Sequence, residues 1–118
     1  MAHVVIDGQM LTVKMSRWER LGAQHRDVTV PLAAVTAVST TEDPWTIFEG
    51  IRAPGTGIPG VIMLGTLRSK GSKTFCAVYR HGPALVITTT DPAFARVIVS
   101  ASDASEQAAA LSAQLDVT

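Results

Sequence analysis

Three bases gather at one turn of the chain: Arg68, Lys70 and Lys73 lie in and around Ser69-Lys70-Gly71-Ser72. A connection of even length sets Arg68 directly opposite Lys73 on paired strands, where like charges are unfavourable by about a few tenths of a kcal/mol. A phosphate or carboxylate between them would exchange that repulsion for charge-assisted hydrogen bonds, and Gly71 leaves backbone N–H groups at the same tip. The opposing reading is a solvated tip whose charges discourage edge-to-edge pairing.

Nucleophilic chemistry would centre on Cys76, inside the apolar run Phe75-Cys76-Ala77-Val78, with His81 five residues on and His3 and His25 elsewhere. A reactive thiol needs a cation or helix N-terminus beside it to lower its pKa. Its alternation partners Thr74 and Val78 supply no base, so an inert core thiol is expected. The histidines have no metal-binding spacing, and one cysteine cannot build a Cys-rich zinc site. Glu42-Asp43 invites acid–base work, yet adjacent strand residues point to opposite faces, and Asp43 before Pro44 reads as a helix cap. Gly55-Thr-Gly-Ile-Pro-Gly60 has the G-x-G-x-x-G spacing, but a dinucleotide cradle must follow a strand and open a helix. Here Ala53-Pro54 precedes it and Pro59 interrupts it, so 50–60 reads as a multi-turn loop. Trp18 and Trp45 are each a core residue or a contact anchor, the two settings that large aromatics dominate. No cofactor is expected.

These residues need a scaffold, and the composition describes one. The chain has 118 residues, 47% hydrophobic and 17% charged, which excludes disorder and suits one domain over 1–118. Ten bases balance ten acids, and only six aromatics are present. Both facts argue against nucleic acid, which calls for basic patches and stacking platforms. The balance is segregated: residues 1–49 carry −2, 50–90 carry +5 and 91–118 carry −3. The middle bases either form a local anion site or pair with flanking acids. The opening residues lack the pattern of a secretory signal, and no apolar stretch approaches the ~18 residues of a membrane span. The expectation is a cytoplasmic protein with no membrane insertion and, from one cysteine, no intramolecular disulfide.

Val, Ile and Thr supply 33 of the residues, and Cβ branching favours pleated sheet. Strands are predicted at 3–6, 9–15, 27–30, 34–41, 61–68, 73–80, 84–90 and 95–101, with a type I′ turn at Asp7-Gly8. Ser16 and Glu19 have capping-box spacing, which predicts a helical turn over 17–21 with Trp18 and Leu21 on one face. A helical turn is also predicted at 44–49. Asp103 and Glu106 open a helix over 103–115, whose stripe of Ala104, Ala108, Leu111 and Leu115 should pack onto the β structure.

The stretches Val30-Pro31-Leu32, Glu42-Asp43-Pro44, Gly50-x-Arg52-x-Pro54-Gly55-Thr56-x-x-Pro59-Gly60, Gly65-Thr66 and Phe75 resemble a group of small uncharacterised actinobacterial proteins. Those look like bacterial pleckstrin-homology-like (PH-like) domains, and the likeness spans roughly residues 3–115. It implies a bent seven-stranded sandwich or barrel with a C-terminal capping helix. Phosphoinositide-binding members place several bases around the first hairpin loop. That loop is the acidic Asp7-Gly8 here, so phosphoinositide is not the expected ligand.

The reading is a mainly β, PH-like sandwich acting as a non-enzymatic binding or assembly module. Its expected contacts are protein, a second copy of itself or an anionic group. The alternative is a small enzyme using Cys76 or a histidine.

Overall fold

The computed structural model describes residues 2–23, 27–47, 51–58, 60–69, 71–91 and 94–117, and for residues 7, 23, 51–56, 69, 116 and 117 the backbone. In chain order the elements are β1 (His3–Asp7), β2 (Met10–Lys14), α1 (Arg17–Ala23), β3 (Val28–Pro31), a 3-10 turn (Leu32–Ala34) and β4 (Val35–Thr41). A second 3-10 turn (Pro44–Thr46) leads to β5 (Ile51–Ile58), β6 (Ile62–Ser69), β7 (Ser72–Tyr79), β8 (Ala84–Thr89), β9 (Arg96–Ser100) and α2 (Ala104–Val117). The protein is mainly β, 51% strand against 25% helix, with two sheets and a C-terminal helix.

The smaller sheet runs β1-β2-β3 and the larger β4-β8-β9-β7-β6-β5. All neighbours are antiparallel except β7 and β9, which run parallel because the β8–β9 hairpin inserts β9 beside β7. Nine strands form among the described residues, where the resemblance implies seven and the residue pattern predicts eight. The one beyond those eight is β5, laid over residues predicted to be loop. Glycine and proline there do not prevent pairing, because among the described residues β5 is an edge strand bonded to β6 alone, and its register shifts between Arg52 and Gly55, around Pro54. The G-x-G-x-x-G spacing therefore lies on a strand and turn leading into β6, which is no cradle for a dinucleotide.

The first hairpin turn shifts by a residue. Asp7 pairs with Met10, so Gly8 and Gln9 make the first turn, and Gly8 has φ +62°. A positive φ at the first central position is the requirement of a type II′ turn, whereas the predicted type I′ needs it at both.

Strand alternation decides the packing. Leu11, Val13, Val28 and Val30 of the small sheet meet Leu64, Phe75, Ala77, Leu85, Ile87, Val97 and Val99 of the large one, with Leu111 of α2 in the same core. On the opposite face of the large sheet, Val78, Ala84, Val86 and Ile98 are covered by Trp45, Ile47 and Met63. β7 and β9 thus lie between two apolar layers, which is why Phe75–Val78 reads as an unbroken apolar run. The helix stripe behaves as predicted: Ala104 and Leu111 are buried, and Ala108 and Leu115 pack against the core. Among the described residues, no helix is long and apolar enough to cross a membrane.

Candidate contact surface on the first helix

Ser16 and Glu19 close the predicted capping box. The Ser16 N–H donates to Glu19 Oε1 at 2.9 Å, and the Glu19 N–H donates to Ser16 Oγ at 3.3 Å. The helix that follows runs through Ala23, two residues past the predicted turn over 17–21. Glu19 is fully buried, and its second oxygen accepts a hydrogen bond from the Tyr79 hydroxyl, 60 residues away. Burial opposes ionisation of this carboxyl, but the bonds from Tyr79 and Ser16 outweigh it and hold its pKa below the usual value. Tyr79 shifts the other way, upward, through burial and through its bond to, and the charge of, Glu19.

An acid turned inward leaves the apolar residues of α1 outside. Trp18 is 55% exposed and Leu21 79%, so the core reading of Trp18 is corrected to a surface one. The reason is steric and electrostatic together: α1 rests on β5 and β6, and the inward place is taken by the carboxylate that meets Tyr79 of β7. Trp18 is not loose, since its ring meets that of Tyr79 edge-on at 6.1 Å. Arg17, Trp18, Arg20 and Leu21 line an open concavity of about 660 Å³. Asp27 fixes the helix flanks, accepting from the Met15 N–H at 2.8 Å and lying 4.0 Å from the Arg20 guanidinium. At the end of the β5–β6 hairpin where Ile62 pairs with Tyr79, Ile58 and Val61 are each about half exposed.

Trp45 has a different setting. Its indole N–H donates to the Arg80 carbonyl at 2.8 Å, and its ring packs on the outer layer of the large sheet. Asp43 caps the 3-10 turn through the Trp45 N–H at 3.1 Å, as predicted, while its other oxygen lies 2.9 Å from His81 Nδ1. Residues 48 and 49 of the helical turn predicted at 44–49 lie outside the described ones. The His81–Asp43 pair was invisible in sequence because 38 residues separate its members. Asp43 can orient the imidazole, but among the described residues no hydroxyl or thiol is bonded to Nε2 for it to activate. The pair and the indole bond instead tie the segment after β4 to the β7–β8 turn, where Arg80 has φ +56°.

Cys76 is fully buried on β7, paired with Gly65 and Ile98. Desolvation pushes its thiol from 9.0 up to about 12, against a smaller opposing pull from Arg96. Its thiol is shielded from solvent and held in the protonated form at neutral pH. Among the described residues, no cluster of three His, Cys, Asp or Glu could hold a metal ion.

The basic tip has the predicted register, Arg68 opposite Lys73, with Ser69 opposite Ser72 and Gly71 at φ +81°. Lys70 and His25 lie outside the described residues. Lys73 is half-buried and its Nζ stands 5.7 Å from the Phe94 ring centroid, so this amine already has an aromatic partner in its own chain. Searches against family models, curated proteins and solved structures find no match to the chain.

Proposed function

We propose that the chain is a non-enzymatic, cytoplasmic binding module that holds a protein partner on the exposed face of α1. One observation carries this reading: a tryptophan and a leucine stand in solvent on a helix fixed from beneath by a buried carboxylate. Aromatic anchors on rigid supports are what binding surfaces use, because little conformational entropy is lost when they dock. Arg17 and Arg20 flank the pair, so the matching surface is apolar with an acidic rim. The likeness to PH-like proteins supports a β scaffold closed by a helix, on which such a surface is carried.

The test compares proteins retained from a native lysate by the wild-type chain and by the double variant Trp18→Ser/Leu21→Ser. Species held by the wild type, lost with the double variant and kept by Arg68→Ser support the reading. Retention of the same set by all three chains refutes it.

A further inference from the structure

The four sheet edges are unequally protected. β3 ends on Pro31, which has no N–H to offer a neighbour. β4 breaks register between Val35 and Ala37, and α2 packs on it. β5 breaks register near Pro54, and α1 lies against it. Proline, bulges and covering helices are the devices that keep a further strand from adding. β1 has none of them. Its five residues hold unbroken register with β2, and among the described residues no strand pairs with its outer edge.

The side chains of β1 show what is missing. Val4 and Ile6 pair across from Val13 and Leu11, both buried, and pack against the main core, yet remain half-buried themselves. Beside them, between β1 and α2, runs a cavity of about 310 Å³ lined by Val4, Ile6, Ala110 and Leu111 together with His3, Gln107 and Gln114. The strand order leaves an edge and an apolar trough side by side.

The segment His3-Val4-Val5-Ile6-Asp7 is complementary to itself when reversed. With Val5 on a twofold axis, Val4 faces Ile6 of the second copy on the core side, and His3 lies opposite Asp7 at both ends. A slip by one residue would turn the apolar side chains to the solvent face and lose that match. We propose that β1 pairs antiparallel with β1 of a second copy of this chain, joining two three-stranded sheets into one of six strands. The pairing is isologous, so the assembly closes as a dimer. Val4 and Ile6 of each copy then extend the apolar layer beside the trough of the other. The interface is small, so association is weak and concentration-dependent. This inference does not rest on the α1 reading, since the two surfaces lie on different sheets.

Sedimentation equilibrium of the full chain over a wide concentration range reads the mass directly. The wild type is expected to rise from 12.5 kDa toward twice that mass. His3→Glu sets acid against acid at both ends and should weaken the dimer about tenfold. Adding Asp7→Lys sets a lysine against each new glutamate and should restore it. Val5→Lys, which brings two lysines together on the axis, should weaken it as well and serves if His3→Glu fails to fold. A wild type that stays monomeric overturns the proposal, as does a dimer indifferent to His3→Glu or Val5→Lys. Loss of the dimer with Trp18→Ser, and not with the β1 variants, would place self-contact on α1 and also overturn it.

Discussion

Glu19 has two tasks that pull its carboxylate into the protein: completing the N-terminal box of α1 and accepting the Tyr79 hydroxyl. Glu19→Ala removes the acceptor of both bonds and is expected to cost about 2–4 kcal/mol, from one lost cap and one half-buried donor deprived of this bond. Tyr79→Phe leaves the buried carboxylate short of a partner and should cost about 1.5–3 kcal/mol. Because the two share one bond, the double variant should cost less than the sum, a coupling that denaturant titration of the four chains reads. Additive losses would show that they act separately. Lys73 offers a contrast at the same scale. Its contact with Phe94 means that Arg68→Ser/Lys73→Ser removes a like-charge pair and a cation–π contact together. The gain predicted from repulsion alone is thereby reduced or cancelled. Thermal melting of Lys73→Ser reads the second of these: the variant should lose about 0.5–1 kcal/mol with the cation–π contact gone.

At the scale of elements, α2 gives the sharpest expectation. Leu111 is its deepest large side chain, so Leu111→Ala should destabilise by about 2–4 kcal/mol through lost burial and the cavity left behind. An unchanged melting temperature would mean that the stripe faces solvent. This helix was readable because its apolar positions recur at helical spacing and its partners are simply the nearest core. Its start was readable only in part: it is Gln107, not Glu106, whose side chain reaches back to Asp103, at 2.7 Å. β5 was not readable. Glycine and proline mark a loop by local preference, and only the edge position and register shift, both settled by β6, make a strand of it. The orientation of α1 was hidden for a related reason. Periodicity found the face shared by Trp18 and Leu21, but whether that face turns inward depended on Tyr79, far along the chain. Local signals located the elements other than β5; the site arose from pairings that sequence separation conceals.

The whole molecule should be most stable between moderately acid and mildly alkaline pH, and the sign at each end follows from named groups. Glu19 ionises more readily folded than unfolded, so its contribution is present above about pH 4.5 and is lost as pH falls through its depressed folded value. On the alkaline side the unfolded thiol of Cys76 ionises near 9.0, while the folded one waits until about 12. Between those values the unfolded chain binds fewer protons, so stability falls as pH rises, with a slope approaching about 1.4 kcal/mol per unit from this group. Tyr79 acts in the same direction, because its folded hydroxyl also holds its proton longer than the unfolded one. Urea titrations at pH 7, 9, 10 and 11 should therefore show a decline that begins near 9. Cys76→Ala should remove the first part of that decline, at the expense of some stability at neutral pH from the smaller side chain. Tyr79→Phe should flatten what remains above about pH 10. If Cys76→Ala follows the wild-type curve between pH 9 and 10, the thiol is solvated, and the tight double-faced packing of β7 is wrong at its centre.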